Sequence, residues 1–173
     1  MAHSTVPRGN HVDGPRTPEA HRDHFRHLMG ELPAGVTVLT TMSPDGPMGM
    51  TTSAVTSLSM NPPMILACLT STSTTLAGIL SHGTFAINIL TDAMTDTSDR
   101  FAHGPVLERF TAVPHRLVDG LPLLEDTAGA AICQVAATHP GGDHTILTAT
   151  VTRTLHGEGS PLLRHRAAYR SIR

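Results

Sequence analysis

The sequence predicts a mainly β fold: an antiparallel barrel with a few peripheral helices. Three observations carry that expectation. β-branched and apolar runs follow one another with tight turns between them, whereas a doubly wound sheet would alternate strand and helix regularly. At 173 residues the chain can bury one self-supporting core and fits one domain. Helical periodicity is confined to short stretches near residues 17–32, 73–82 and 92–103.

Taken in order, residues 1–16 (MAHSTVPRGNHVDGPR) offer almost nothing to bury and are expected to form a mobile arm, leaving 17–173 as the single domain. Thr17-Pro18 has the form of a helix start, with Thr as cap and Pro in the first turn. Ala20, His24, Phe25, Leu28, Met29 and Leu32 then fall near helical spacing, and Pro33-Ala34-Gly35 ends the amphipathic helix. Val36 to Met42 is a β-branched strand closed by the turn Ser43-Pro44-Asp45-Gly46, with a return strand expected from Met48 to Leu58. After Asn61-Pro62-Pro63, MILACL reads as a buried strand, followed by a short helix that His82-Gly83 closes. TFAINIL is a further buried strand, a polar helix follows, and late strands are expected over 128–138, 145–154 and 161–166. The expected total is six or seven strands.

Composition narrows the function. The formal charge is −2 with histidines neutral, so no basic field attracts nucleic acid or an anionic membrane. With four Phe, one Tyr and no Trp, a flat ligand would be held by backbone, Met, aliphatic and hydroxyl contacts. Apolar runs are too short to span a bilayer, and the N-terminus lacks an apolar signal core, which points to the cytoplasm. Cys68 and Cys133 sit inside apolar runs and read as buried free thiols; no metal-ligand spacing accompanies them.

Three stretches could carry chemistry. GMTTSAVTS, residues 49–57, is rich in hydroxyls that could bind the edge of a polar heterocycle, although Thr also suits a half-exposed strand. TSTSTT, residues 70–75, joins a strand to a helix and suits a phosphate at the helix N-terminus, or simply caps that helix. It carries neither the glycines nor the lysine of a P-loop. The third is Asp143-His144, delivered by Pro140-Gly141-Gly142 to the mouth of a strand, where it is either a working pair or turn polarity. Neither a Gly-x-Ser-x-Gly motif nor a Cys–His pairing points to nucleophilic catalysis.

In order along the chain, FRHLMGELPAGVTVLTT, GMTTSAVTSLSMNPPMILACL, the Ser73-x-Thr75 pair, GTFAINIL, DRFA, GGDHTIL and RAAYR resemble the flavin reductase-like family over residues 25 to 170. The resemblance implies an FMN-binding split β-barrel, antiparallel and Greek-key-like. It also implies NADH (or NADPH) oxidation with reduction of FAD or FMN, reduced flavin passed to a separate monooxygenase, and a homodimer. By the same resemblance, Met50, Thr51, Thr52, Ser53, Ala54 and Ser57 line the ring and ribityl chain, beside Cys68 and Leu69. Ser71, Ser73 and Thr75 meet the phosphate, with Arg100 and Phe101 anchoring that end. Asp143 and His144 look onto the nicotinamide, His144 as a positioning residue, and Tyr169 and Arg170 border the same cleft. The chain has Thr70 where the family often has Asn and Thr74 where it often has a basic residue, which fits a flavin that leaves readily. A non-enzymatic flavin carrier on the same barrel is the alternative.

Overall fold

The computed structural model describes residues 17–172, so the arm expected over residues 1–16 lies outside the described residues. Helix α1 (Pro18–Gly30) begins as expected: the Thr17 side chain accepts a hydrogen bond from the Ala20 amide and Pro18 opens the first turn. Its apolar face does not pack on the barrel. The helix has no buried residue, and Phe25 and Leu28 are 60% and 66% exposed. What ties α1 to the domain is polar: Arg166 pairs with Glu31 at 2.8–3.0 Å, and the Arg166 amide bonds to the Gly30 carbonyl.

The strands are β1 (Ala34–Gly35), β2 (Thr37–Ser43), β3 (Gly46–Thr52), β4 (Val55–Met60), β5 (Pro63–Thr70), β6 (Thr84–Ile89), β7 (His115–Val118), β8 (Leu121–Leu124), β9 (Gly129–Gly141), β10 (His144–His156), β11 (Leu162–His165) and β12 (Ala168–Ser171). Helix α2 (Thr74–His82) follows β5, and α3 (Thr95–His103) follows β6. Seven strands form one antiparallel sheet in the order β3-β2-β6-β9-β10-β5-β4. Its outermost strands, β3 and β4, are consecutive in the chain and joined by Ser53 and Ala54 alone. Laid flat, seven strands would set those edges about 29 Å apart, while the link spans about 10 Å at most. The sheet must therefore curl until its edges meet. No ladder joins β3 to β4 among the described residues, so the barrel is rolled but split.

Inside the roll lie Leu39, Leu69, Phe85, Cys133 and Leu147, with Leu76 and Ile79 of α2 packed against them. A second cluster, Val36, Val38, Leu90, Phe101, Phe110 and Leu162, fills the space under α3. Strands β2 and β6 are buried in continuous runs, Thr37–Thr41 and Phe85–Asn88, as strands covered on both faces are, and Gly83 at φ 80° ends α2 in the left-handed conformation that glycine tolerates.

The strand expected from Met48 to Leu58 is in fact two, broken at Ser53–Ala54 where the chain crosses the split. The expected count of strands was low: β1, β7, β8 and β12 were not foreseen. Each has two to four residues, too few for alternation to register, and Leu121–Leu124 contains Pro122 within an apolar run.

Candidate functional site: a cleft at the split of the barrel

Strand register brings the three chemistry-bearing stretches together. Across the split, the Cys68 amide bonds to the Ala54 carbonyl at 2.9 Å, and Thr52 Oγ1 lies 3.5 Å from the Cys68 carbonyl. On the other side of β5, Cys68 faces Ile146 and Thr70 faces His144. The β9–β10 turn docks on the same end, with the Ser71 amide donating to the Asp143 carbonyl at 3.0 Å. Gly142 makes this two-residue turn possible at φ 71°. Alternation along β5 then decides which side chains face out. Ala67 and Leu69 are buried in the core, which turns Cys68 and Thr70 to the opposite face. Cys68 is thus half-buried at a cleft, correcting the expectation that both thiols are buried; Cys133 is buried, and desolvation pushes its thiol up to about 12.

The cleft has a volume of about 330 Å³ and its walls include Met50, Thr51, Thr52, Ser53, Ala54, Cys68, Leu69 and Thr70 from the split, with His144 at one side. Ser98, Ala102, His103, Arg164 and Tyr169 close the other. Every charged or titratable side chain that lines it, apart from the Cys68 thiol and Tyr169 phenol, is basic or imidazole. A larger depression, about 700 Å³, lies elsewhere and is lined by Asp92, Glu125, Asp126 and Glu158 against Arg116 and His156. An anionic ligand is repelled there and favoured in the smaller cleft.

Asp143 and His144 are a pair. Asp143 Oδ1 lies 2.7 Å from His144 Nδ1, and the hydrogen bond and charge of that imidazole hold the Asp143 carboxyl below the usual range. An ionised carboxylate only accepts, so Nδ1 carries the proton and Nε2 is left for a ligand. Asp143 itself is exposed and does not line the cleft. On the opposite wall, Ser98 is a buried junction. Its carbonyl accepts from Thr51 Oγ1 at 2.7 Å, its Oγ lies 2.9 Å from the Tyr169 hydroxyl, and that hydroxyl donates to Asp99 Oδ1 at 2.6 Å. Burial first, then the bond to Asp99, raises the Tyr169 phenol. Arg164 sits over the Tyr169 ring, 5.5 Å from its centroid.

A second hollow of about 280 Å³ shares Met50, Thr51, Thr70 and Ala102 with the cleft and continues to Thr72, Ser73, Thr74, Val106 and Arg109. The Ser73 side chain caps α2 by accepting from the Leu76 amide and also touches Met50 Sδ at 3.2 Å. The first helical bond runs from Ala77 to the Ser73 carbonyl, so the amides of Thr74 and Thr75 point out unclaimed by the helix.

A family model for the flavin reductase like domain matches residues 29–173. The chain belongs to the flavin reductase-like family. A flavin reductase (NADH) from Kitasatospora aureofaciens is 44% identical over 133 residues, covering 75% of this chain and 69% of that protein. The flavin-dependent monooxygenase reductase subunit HsaB of Mycobacterium tuberculosis is 32% identical over 152 residues, covering 86% and 81%. Among solved structures, a nitrilotriacetate monooxygenase component B homologue from Mycobacterium thermoresistibile superposes with a TM-score of 0.86 at 29% identity, covering 91% of this chain and 89% of that one.

The residues present fit a flavin. Met50, Ala54 and Ala102 give the cleft apolar surface, while Thr51, Thr52, Ser53 and the adjoining backbone give it a polar edge, as a flat heterocycle with polar margins requires. Several site residues expected for this flavin reductase-like chain fall elsewhere. Ser57 lies on β4 beyond the break, exposed and paired with Ile65, because the split turns the chain away after Ala54. Ser71 sits exposed at the rim, 3.0 Å from Thr145 Oγ1. Thr75 is buried with Leu76 and Ile79 on the core side of α2, and its Oγ1 has no partner among the described residues. Arg100 projects into a separate depression with Asp96, Gly104, Pro105 and Glu108. Arg170 lines a shallow hollow with Asp92 and Thr95 on the other side of Tyr169. Phe101 is fully buried and acts as a wall behind β3. Sequence reasoning missed Ser98, His103, Arg109 and Arg164. They come from α3, its following loop and β11, distant in the chain and without a shared spacing.

Proposed function

We propose that this chain is an NAD(P)H:flavin oxidoreductase that oxidises NADH, reduces FAD or FMN, and releases the reduced flavin to a separate monooxygenase. The observation that carries the reading is the cleft itself, where the hydroxyl-rich end of β3, the strand β5 and the oriented imidazole of His144 face one space. Bound flavin supplies a hydride acceptor, and the reaction balances as NADH, a proton and oxidised flavin giving NAD⁺ and reduced flavin. The protein's part is placement, since hydride transfer needs the donor held against the acceptor and little acid–base help. Met50 and the residues to Ala54 hold one partner against β5. Asp143 fixes the His144 ring so that Nε2 faces the other partner. Arg164, stacked on Tyr169, and His103 supply positive charge for anionic groups.

NADH is favoured over NADPH, in line with the NADH-linked relative from Kitasatospora. Flavin is expected to exchange freely, because the cleft is open and its hydroxyl walls form few enclosing contacts. The chain is proposed to act in the cytoplasm; among the described residues no helix is long and apolar enough to cross a membrane. A homodimer is proposed from the uncovered apolar face of α1, whose Phe25, Leu28 and Met29 are exposed together with Leu32 just beyond its end. Sedimentation would then give twice the 18.3 kDa chain mass. The activity is tested by steady-state oxidation of NADH and NADPH with FAD and FMN in turn. Turnover only when flavin is added is expected; none with any pair would reject the reading.

A further inference from the structure

We propose that Asp99, which stands outside the cleft, is a positioning residue for flavin reduction: it fixes Tyr169 and, through that ring, holds Arg164 for the anionic groups of the dinucleotide. This role rests on the flavin reductase reading and deepens it by naming a residue that acts at one remove from the ligands.

The sequence contains no lysine, so fixed positive charge comes from arginine, and Arg164 is the one arginine among the described residues that lines the cleft. It is exposed and has no carboxylate partner among the described residues. A long side chain in that position would ordinarily sample many rotamers, and ordering it on binding costs entropy. Here it is ordered beforehand. Arg164 faces Tyr169 across the β11–β12 ladder, and its guanidinium lies over the ring, 5.5 Å from the centroid.

The ring is held in turn at its hydroxyl. Tyr169 donates to Asp99 Oδ1 at 2.6 Å, the short separation of a charge-assisted bond. A hydroxyl carries one hydrogen, so at Ser98 Oγ, 2.9 Å away, the Tyr169 oxygen accepts. Ser98 is fully buried, and its carbonyl accepts from Thr51 Oγ1 at 2.7 Å. One turn of α3 thus clasps β12 of the three-stranded sheet to β3 of the seven-stranded sheet, and both strands give walls to the cleft. Asp99 is exposed and pairs with no cation among the described residues, so its contact in the fold is the phenol. Burial first, then that bond, raises the Tyr169 phenol, which keeps the ring neutral and its donor in place. A dinucleotide laid over a flavin held by Met50 to Ala54 lies towards the wall that Tyr169 and Arg164 build.

The test compares wild type with Asp99→Ala, Asp99→Asn, Arg164→Met and the double variant Asp99→Ala/Arg164→Met. Steady-state NADH oxidation with FMN, FMN titration and an ultraviolet titration of the phenol are measured on each. Tyr169 is the sole tyrosine and the chain has no tryptophan, so the phenol signal belongs to it alone. Asp99→Ala is expected to raise the NADH KM about 3- to 10-fold, with kcat and the FMN dissociation constant within about twofold of wild type. The Tyr169 titration moves down towards its ordinary value in the same variant. Asp99→Asn keeps an accepting oxygen, and its KM stays within about twofold of wild type. Arg164→Met raises the KM about tenfold or more, and adding Asp99→Ala changes it by less than about twofold, because Asp99 acts through Arg164. A merely structural role lowers Tm without splitting KM from kcat. That outcome overturns the assignment, as do effects that multiply in the double variant, a loss that falls on FMN, or a phenol titration that Asp99→Ala leaves unmoved. Wild type that oxidises no NADH with flavin removes the parent reading, whereas turnover with an unshifted Asp99→Ala KM removes only the role of Asp99.

Discussion

Gly49→Ala tests how the wall of the cleft is built. Gly49 is buried in β3, and a Cβ there would meet Phe101 Cε1 at 2.8 Å, Phe101 Cδ1 at 3.0 Å and the Leu39 carbonyl at 3.1 Å. Two effects oppose one another. Replacing glycine within a strand recovers about 0.5–1 kcal/mol of backbone entropy. Overpacking a filled core costs about 1–3 kcal/mol. Phe101 cannot retreat cheaply: it is fully buried and meets Phe110 edge-on with ring centroids 4.9 Å apart. The clash therefore wins, leaving a net loss of about 1–2 kcal/mol and a Tm lowered by roughly 2–8 °C for a domain of this size. Met50, the next residue, lines the cleft, so a shifted β3 is expected to weaken FMN binding as well. Thermal unfolding by circular dichroism reads the first effect and FMN titration the second. Phe101→Leu supplies the control: combined with Gly49→Ala it should cost less than the sum of the two alone, by about 0.5 kcal/mol or more. An unchanged or raised Tm in Gly49→Ala would refute the packing argument.

Three further expectations follow from the same geometry. In native protein one thiol, Cys68, reacts with a maleimide and FMN slows the reaction, while Cys133, pushed up to about 12 by burial, stays unlabelled until unfolding; labelling of Cys68 that ignores FMN contradicts the cleft. Thr75→Val removes a buried hydroxyl without a partner, so stability holds or rises by up to about 1 kcal/mol and FMN binding is unchanged; a loss of FMN affinity would restore Thr75 as a phosphate contact. The Asp143 carboxyl titrates, by NMR, below its ordinary value in the wild type and returns towards it in His144→Ala. The sign follows from a folded value lying below the unfolded one: the pair's contribution is complete above the unfolded value and fades as pH falls through the folded one.

The fold class and most of the long elements were legible because their signals are local. Thr17-Pro18 caps α1, Gly83 ends α2, and β-branched runs mark β2, β5 and β6. The break at Ser53–Ala54 was not, since nothing in TTSAVTS distinguishes a strand crossing a split from one that continues. The site was partly legible. His144 and residues 50–54 were singled out by an ordered set of short motifs, and they line one cleft. Arg100 was expected at the phosphate end from its place in DRFA, but side-chain direction on α3 sends it to another depression while Phe101 turns inward. Arg109 and Arg164 reach the site through tertiary folding alone, and a single sequence carries no trace of that. Apolar spacing in α1 was read correctly as amphipathic, yet the face it predicts has no partner within the described chain.

Flavin and dinucleotide are proposed to meet in one cleft, with His144 on the dinucleotide side. The most direct measurement is the pair of constants for His144→Ala: the KM for NADH in flavin reduction and the dissociation constant for FMN. The NADH KM is expected to rise about tenfold or more, the loss of a hydrogen bond to a bound group, with FMN affinity within about twofold of wild type. An unchanged NADH KM, or a loss confined to FMN, would contradict it.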